Sequence, residues 1–311
     1  MSRTLAITTS GFDMLNPLLG DFELAGWRIV RNPHGRRMTE EEVSDLLRSS
    51  GAEVMVAGVE PLTERVFEDN PQLHLISRCG SGFDSVDVAA AEARNITLLR
   101  TPEAPAEAVA ELTISLAIAV LRRVGEADRL IRSGQWRALM GRSYGRSRIG
   151  IVGLGHVGSR VAQVSTVLGS EVGYTDRYVD APEYERFDDN EKLARWADVL
   201  TIHLPHNEET HNTVNQEVLE ALGPSGVVIN TARGGLVDED ALYEALASNK
   251  IAGAALDVFA EEPYRGPLAE LPNVLLTCHM GSYAKQVRGV METEALHNAM
   301  EHLDLAMLGR P

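Results

Sequence analysis

Apolar runs of four to six residues recur through the first third of the chain, at 5–8, 27–30, 54–58, 73–78 and 96–100. Runs of that length suit buried strands, and the polar segments between them carry helical spacing. In one such segment Thr39 and Glu42 form a capping-box pattern, which opens a helix with Val43, Leu46 and Leu47 on one face. Strand and helix in alternation predict a parallel sheet with helices on its faces. The rhythm breaks at 101–105, where TPEAP reads as a loop. A long helical pattern follows from about 106 to 133, apolar at Val109, Leu112, Leu116, Val120 and Leu121, with Gly134 placed to cap it. A helix so long and apolar suits a domain connector, a subunit contact or both. Alternation resumes at Arg148, with strand-like runs at 149–153, 171–176, 199–204, 227–232, 254–258 and 274–279. From Tyr283 the pattern is helical again, with Val290, Met291, Leu296 and Met300 on one side. A domain boundary is therefore expected near Thr101, with the closing helix crossing back to make the first domain discontinuous.

At 311 residues the chain is long enough for two domains with real cores, and its 44% hydrophobic content argues against disorder. A net charge of −16 gives a surface that repels nucleic-acid phosphates and anionic lipid, so neither is an expected partner. An anionic small molecule would need local cations to draw it in. Two cysteines, Cys79 and Cys278, are too few for a disulfide framework. With no signal-peptide layout at the N-terminus, they point to a reducing cytoplasm. The most apolar stretch, 104–121, is interrupted by Glu107 and Glu111 and is too polar to span a bilayer. Histidine and cysteine show no metal-ligand spacing, so no metal is expected.

The second block opens on GLGHVG at 153–158, between a buried strand at 149–153 and a helical pattern from Val157 to Leu168. In that context the glycines have separate roles. Gly153 permits the tight turn, Gly155 lets backbone approach a pyrophosphate, and Gly158 lets helix and strand pack closely. The helix start would supply N–H groups and its positive dipole end to the phosphates. The next strand ends at Asp176, eighteen residues after Gly158. A carboxylate there accepts from a ribose hydroxyl and repels a 2′-phosphate, which favours NAD over NADP. The adjacent Arg177 pulls the other way.

Three further residues close or follow strand-like runs: Arg233 after 227–232, Glu262 after 254–259, and His279 at the end of 274–279. Taken singly they read equally well as a surface arginine, a solvated acid before a proline and a strand-end histidine. Behind a nucleotide loop they supply the parts for moving a hydride and a proton. A guanidinium grips a carboxylate bidentately and polarises the carbonyl beside it. A histidine gives or takes a proton near neutral pH, and a neighbouring carboxylate favours its charged form.

These stretches come with RCGSGFDSVD at 78–87, NTARGGLVD at 230–238, DVFAEEP at 257–263 and HMGS at 279–282. Together they resemble the D-isomer-specific 2-hydroxyacid dehydrogenases over essentially the whole chain, the phosphoglycerate-dehydrogenase-like members in particular. The resemblance implies an α/β fold of two doubly wound parallel-sheet domains with a cleft between them. Residues 102–283 would form a Rossmann NAD-binding domain, and 1–101 with 284–311 a flavodoxin-like substrate-binding domain. By the same resemblance Arg233 binds substrate carboxylate and carbonyl, His279 is the acid/base and Glu262 pairs with it. Asp257 is expected at the nicotinamide carboxamide. His156, Val157, Thr231, Ala232 and Gly281 are expected to line the cofactor with Gly153, Gly155, Gly158 and Asp176. Gly80, Ser81 and Gly82 would offer N–H groups to the substrate carboxylate. A tryptophan near position 136 packs into the neighbouring subunit in phosphoglycerate dehydrogenases, so Trp136 suggests a homodimer.

The pattern departs from those relatives in two loops. Glu60 stands in the 58–62 loop, where phosphoglycerate dehydrogenases usually carry basic residues, and 101–105 lacks their Gly-Ala-Asn pattern. Arg78, Arg100 and Arg142 are candidates to compensate. With the chain ending at Pro311, feedback by serine through a C-terminal regulatory domain is not expected. The expected substrate is a small 2-keto or 2-hydroxy acid of the hydroxypyruvate, glyoxylate or 3-phosphoglycerate type, and within that class one with a polar C3 group, such as hydroxypyruvate or a close phosphorylated relative. Two alternatives stay open: an NAD(H)-sensing corepressor-like binding protein, and a formate- or phosphite-oxidising relative. The formate enzymes of this fold place glutamine where Glu262 stands.

Overall fold

The computed structural model describes residues 3–305; the parts of the expected first domain at 1–2 and 306–311 lie outside them. The chain forms two compact units, one running to Pro105 and resuming at Ala284, the other Ala106–Tyr283.

The first unit is built on β1 (Thr4–Ile7), β2 (Arg28–Arg31), β3 (Val54–Ala57), β4 (Leu75–Arg78) and β5 (Thr97–Arg100). All pair in parallel, in the order β2-β1-β3-β4-β5, the flavodoxin-like arrangement. Side chains alternate across this sheet, as a strand's period of two requires. Leu5, Ile7, Val54, Val56 and Leu75 share one core with α1 (Pro17–Leu24). Ala6, Met55, Ala57 and Ile76 share the other with α2 (Glu40–Ser50), α3 (Glu64–Asp69) and α4 (Val88–Ala93). Each aliphatic side chain removed fully from water contributes about 1.5–3 kcal/mol. The capping box forms at α2: Thr39 Oγ1 accepts from Glu42 N, and the Glu42 carboxylate accepts from Thr39 N.

The second unit begins with α5 (Ala106–Leu121) and α6 (Val124–Arg132). The expected continuous helix to 133 is thus broken. Arg123 turns into the left-handed region at φ 55°, and the returning Arg142 N–H caps the Leu121 carbonyl. The break redirects α6 so that Gly125 sits against Leu275, where a Cβ would come within 2.3 Å of that side chain. Buried residues stop at Leu121, and α6 buries none.

Beyond it lies a sheet of seven parallel strands, ordered β12-β11-β10-β9-β6-β7-β8. They are β6 (Arg148–Val152), β7 (Glu171–Thr175), β8 (Glu185–Arg186), β9 (Val199–Ile202), β10 (Val227–Asn230), β11 (Gly253–Leu256) and β12 (Val274–Leu276). Counted from β6 this is the 3-2-1-4-5-6 order of a dinucleotide-binding sheet with one strand added. The expectation had six strands; β8 is two exposed residues and leaves no apolar run to read. Ile149, Ile151, Val199, Val227 and Ile229 face α5 and α7 (His156–Val167). Leu200, Ile202, Val228, Ala254 and Leu256 face α8 (Asn190–Trp196), α9 (Gln216–Leu222) and α10 (Glu239–Ala247).

The chain closes with α11 (Lys285–His302), which packs on β3, β4 and β5 of the first unit. Its buried stripe is Met291, Glu292, Ala295, Leu296, Ala299 and Met300. Val290 was expected on that stripe but stands one position off it and is exposed. Among the described residues no helix is long and apolar enough to cross a membrane.

Candidate active site

Because every strand of the second sheet runs the same way, the C-terminal ends of β6, β7, β10, β11 and β12 lie along one edge. The glycine loop is the first of these ends. Gly153 has φ 93°, and a Cβ there would come within 2.8 Å of the His203 carbonyl oxygen. Gly158 brings α7 onto the turn so closely that a Cβ would meet the Gly153 oxygen at 2.1 Å. At Gly155, by contrast, a Cβ would meet nothing within 4 Å. The backbone before α7 therefore faces open space, where a pyrophosphate can approach the helix start. His156 is the first helical residue, and Val157 packs partly against the α5-side core.

Asp176 follows β7. Its Oδ2 accepts from Leu154 N at 2.7 Å, and its Oδ1 accepts from Tyr178 N and Val179 N at 2.8 Å. Burial opposes its ionisation, but these three N–H groups and Arg186 outweigh it and hold the carboxyl below the usual range. Arg177 turns to Glu209, with Nη1 and Oε2 2.7 Å apart. A dinucleotide's phosphates and adenosine ribose fit this combination of open glycine, helix start and ionised acid.

Across β9 from the glycine loop, β10 ends in a turn shaped by Asn230, a buried side chain missed at the level of sequence. Its Oδ1 accepts from Ala232 N at 3.1 Å, and its Nδ2 donates to Arg233 O at 2.8 Å. Thr231 is buried, with its hydroxyl 2.7 Å from that of Thr113 on α5. Arg233 leaves the turn in an extended conformation and donates from Nη1 to the Ala232 carbonyl at 2.6 Å.

The next two strand ends meet. Glu262, on the loop after β11, accepts from His279 Nδ1 at 2.8 Å through Oε2 and 3.1 Å through Oε1. Its Oε1 also accepts from Phe259 N at 3.2 Å. Burial works against ionisation of Glu262. The His279 hydrogen bond and charge, the Phe259 N–H and Arg233 outweigh it and lower its pKa. A carboxylate can only accept, so the Nδ1 facing it carries the proton. Nε2 has no hydrogen-bond partner among the described residues and is the nitrogen left for proton exchange.

His279 stands in the left-handed region at φ 55°, a conformation uncommon for a residue with a Cβ. Asp257 holds it there. His279 N donates to Asp257 O at 2.7 Å. The fully buried Asp257 carboxylate accepts from Thr277 Oγ1 at 2.6 Å, Met280 N at 2.9 Å and Gly281 N at 2.8 Å. Asp257 is expected at the nicotinamide carboxamide; in the structure its carboxylate also supports the loop that presents His279.

In the first unit, Gly80 follows β4 at φ 148°, where a Cβ would overlap the Arg78 guanidinium. Its N–H donates to Thr101 Oγ1 at 2.9 Å, so it is not idle as a donor for an anion. The N–H groups of Ser81 and Gly82 have no acceptor among the described residues. Of the three arginines considered as compensators, Arg100 donates to Ser81 O at 3.2 Å, and Arg78 is buried beneath Gly80, donating to Cys79 O. Arg142 pairs with Asp198 just ahead of β9, at the opposite edge of its sheet from the glycine loop. Glu60 is buried, its carboxylate accepting from Thr8 Oγ1 and from Gly58 N; it ties its own loop. His203 is pushed down to about 3 by burial. Both cysteines are free, with the Cys79 thiol pushed up to about 11 by burial.

An arginine, a histidine–glutamate pair and a dinucleotide loop along one sheet edge define a nicotinamide-dependent class of site. Residues 114–281 match the family described as D-isomer specific 2-hydroxyacid dehydrogenase, NAD binding domain. The chain belongs to that family. A glyoxylate reductase of Korarchaeum cryptofilum is 33% identical over 292 residues, covering 89% of this chain and 85% of the relative. A D-3-phosphoglycerate dehydrogenase of Synechocystis is 33% identical over 81% of this chain. This chain spans only 46% of that enzyme, and 54% of a second phosphoglycerate dehydrogenase, from Methanocaldococcus jannaschii. Among solved structures, an NADPH-dependent glyoxylate/hydroxypyruvate reductase of Sinorhizobium meliloti superposes with a TM-score of 0.82 at 29% identity. That match covers 96% of this chain and 94% of the other.

Proposed function

We propose that the protein is an NAD-dependent D-2-hydroxyacid dehydrogenase that interconverts a small 2-keto acid and its 2-hydroxy acid. The observation that carries this reading is the 2.8 Å contact between His279 Nδ1 and Glu262. Glu262 holds the ring, so that Nε2 donates a proton to a carbonyl oxygen in reduction and takes it back in oxidation. Arg233 grips the substrate carboxylate and draws charge from the neighbouring carbonyl. When bound, the nicotinamide supplies the hydride in reduction and takes it in oxidation. Gly153, Gly155, His156, Val157, Gly158, Asp176, Thr231, Ala232, Asp257 and Gly281 are assigned to the cofactor. Ser81 and Gly82, with Gly80 shaping their turn, are assigned to the substrate carboxylate in a substrate-binding first unit. Two free cysteines suit a reducing cytoplasm.

Within this family the cofactor differs between relatives, as the NADPH-dependent Sinorhizobium enzyme shows. Here the ionised Asp176 opposes a 2′-phosphate, Glu209 occupies Arg177, and Arg186 donates to the Asp176 carbonyl and pairs with Asp180. The substrate is a keto acid with a polar C3 group. NADH and NADPH oxidation against hydroxypyruvate, glyoxylate, pyruvate, 2-oxoglutarate and phosphohydroxypyruvate tests both choices. The expected result is highest kcat/KM with NADH and hydroxypyruvate or a close phosphorylated relative. Preference for NADPH would show that Asp176 is misread, and preference for bulky apolar acids would sink the substrate class. Tight NADH binding with no turnover of any keto acid would instead favour a sensor.

The working form is proposed to be a homodimer. Trp136 and Met140 lie on a segment at 134–140 with no buried residue, and both are almost wholly exposed. A tryptophan and a methionine so fully exposed on one short segment are what a neighbouring subunit would cover. Light scattering should give twice the 33.9 kDa chain mass, and Trp136→Ala should shift the equilibrium toward the single chain. A wild-type mass of one chain at micromolar concentration refutes the dimer.

A further inference from the structure

The loop that carries Glu262 is held from outside by a residue with no assigned role. Glu239 is the first residue of α10. Its backbone is anchored: Asp238 caps the helix by accepting from Ala241 N at 3.0 Å, and Asp238 N donates to Val214 O at 3.0 Å. An acid at this position is usually explained by the positive end of the helix dipole. That explanation does not account for where the side chain goes. It leaves its own helix, and Oε1 accepts from Ala260 N at 2.7 Å. Ala260 lies two residues before Glu262, next to Phe259, whose N–H donates to Glu262 itself.

A second contact locks the same loop. Gly234, the residue after Arg233, lies so close to the Phe259–Ala260 peptide that a Cβ would fall 1.8 Å from Phe259 C and 2.1 Å from Ala260 N. The turn bearing Arg233 and the loop bearing Glu262 are therefore in backbone contact, and Glu239 bridges the helix after the first to the peptide of the second.

We propose that Glu239 is a positioning residue, whose carboxylate fixes the 259–262 loop so that Glu262 faces His279. The groups around it are Asp240 on its own helix and Glu262 and Tyr264 from the facing loop; Glu262 in turn faces His279 and Arg233. Burial raises the pKa of Glu239; the Ala260 N–H opposes this, and Asp240 and Glu262 add to it. A second acid so near Glu262 is costly to ionise, and its hydrogen bond to the loop is what sets against that cost.

Charge and position act on Glu262 with opposite signs, which makes the proposal testable. Removing a neighbouring negative charge makes Glu262 easier to ionise. Losing its contact with His279 makes it harder. The experiment follows the Glu262 carboxyl by ¹³C NMR on protein labelled at the glutamate side-chain carboxyl, assigned by the loss of its signal in Glu262→Gln. Glu239→Asp keeps the charge but falls one methylene short of Ala260 N. In Glu239→Asp the Glu262 midpoint should rise by about half a pH unit or more; in Glu239→Ala, where the lost charge works the other way, it should rise by less than in Glu239→Asp. In Glu239→Gln, whose amide oxygen can still accept from Ala260, it should stay or fall. A Glu262 midpoint in Glu239→Asp equal to or below the wild type overturns the proposal, and this variant decides the matter if Glu239→Ala does not fold. The proposal rests on Glu262 and His279 as the working pair. The titration needs no substrate, so failure to reduce any keto acid would remove the proposed reaction and leave the tether standing.

Discussion

Arg233→Lys is expected to keep the positive charge and lose at least about 10²-fold in kcat/KM for keto-acid reduction. A lysine presents a compact ammonium, whereas guanidinium offers two parallel donors in a plane. The plane is set locally: Nη1 donates to the Ala232 carbonyl at 2.6 Å, which fixes the fork on the extended backbone that follows Asn230. Lysine has no second nitrogen with which to hold that carbonyl and face a substrate. Two losses follow. Ground-state binding of the carboxylate weakens, which raises KM, and the developing charge on the carbonyl oxygen loses a donor, which lowers kcat. Arg233 is one of the charges that keep Glu262 ionised. Lysine preserves that charge, so the pH profile should stay in place while the rate falls. Steady-state kinetics across pH on a folded variant separate these effects. Near-wild-type kinetics would remove Arg233 from the mechanism.

The parts of this molecule that could be read from sequence are those where one local rule decides the outcome. Strand cores such as 149–152 and 227–230 are apolar on both faces because helices cover both, and such runs stand out against polar helices. The capping box at Thr39 and Glu42 is a short-range rule and forms as expected. Failures occur where tertiary context decides. Arg123 itself carries no break signal, and Gly125, the residue that lets α6 lie against Leu275, shows its reason only in the fold. Val290 is apolar and helical, yet the stripe that covers the first sheet runs one residue beside it.

The same division holds at the site. Arg233, Glu262 and His279 stand out because each follows a strand run inside a longer motif, and the shared strand direction brings their ends to one edge. The residues that aim them do not stand out. Asn230 reads as the polar end of a strand and Glu239 as an ordinary first-turn acid, and Asp257 stands out only as a cofactor residue, not as the support of the His279 loop. Asn230 shapes its own turn within three residues, while Asp257 and Glu239 accept from peptides about twenty residues away, Gly281 N and Ala260 N, and only the folded backbone defines those peptides. Charge arguments fare similarly. Glu60 and Arg142 are plausible on paper as phosphate obstacle and phosphate partner, but the fold buries one in its own loop and pairs the other with Asp198.

Replacing Glu262 with Gln should move the pH dependence of both reaction directions to lower pH. In the native enzyme the Glu262 carboxyl is held below the ordinary carboxylate range, so it stays charged throughout a neutral assay. The His279 hydrogen bond and charge are among the causes that lower its pKa, with Oε2 2.8 Å from Nδ1. Keto-acid reduction needs the protonated ring. The rate is therefore full at low pH and falls as pH rises through the point where His279 loses its proton. Hydroxy-acid oxidation needs neutral His279 and emerges over the same range as pH rises. Gln keeps the shape and can still accept from Nδ1, but it carries no charge. The protonated ring then loses its partner, so the reduction limb falls away at lower pH and oxidation appears at lower pH. The two shifts should be equal, because one proton governs both. His279→Ala should abolish the limb and cost roughly 10²–10⁴-fold in rate. Measuring kcat/KM against pH in both directions for wild type and the two variants tests the pair. Profiles that Glu262→Gln leaves unmoved would mean that the carboxylate is not coupled to the proton being transferred, and the dyad would lose its place in catalysis.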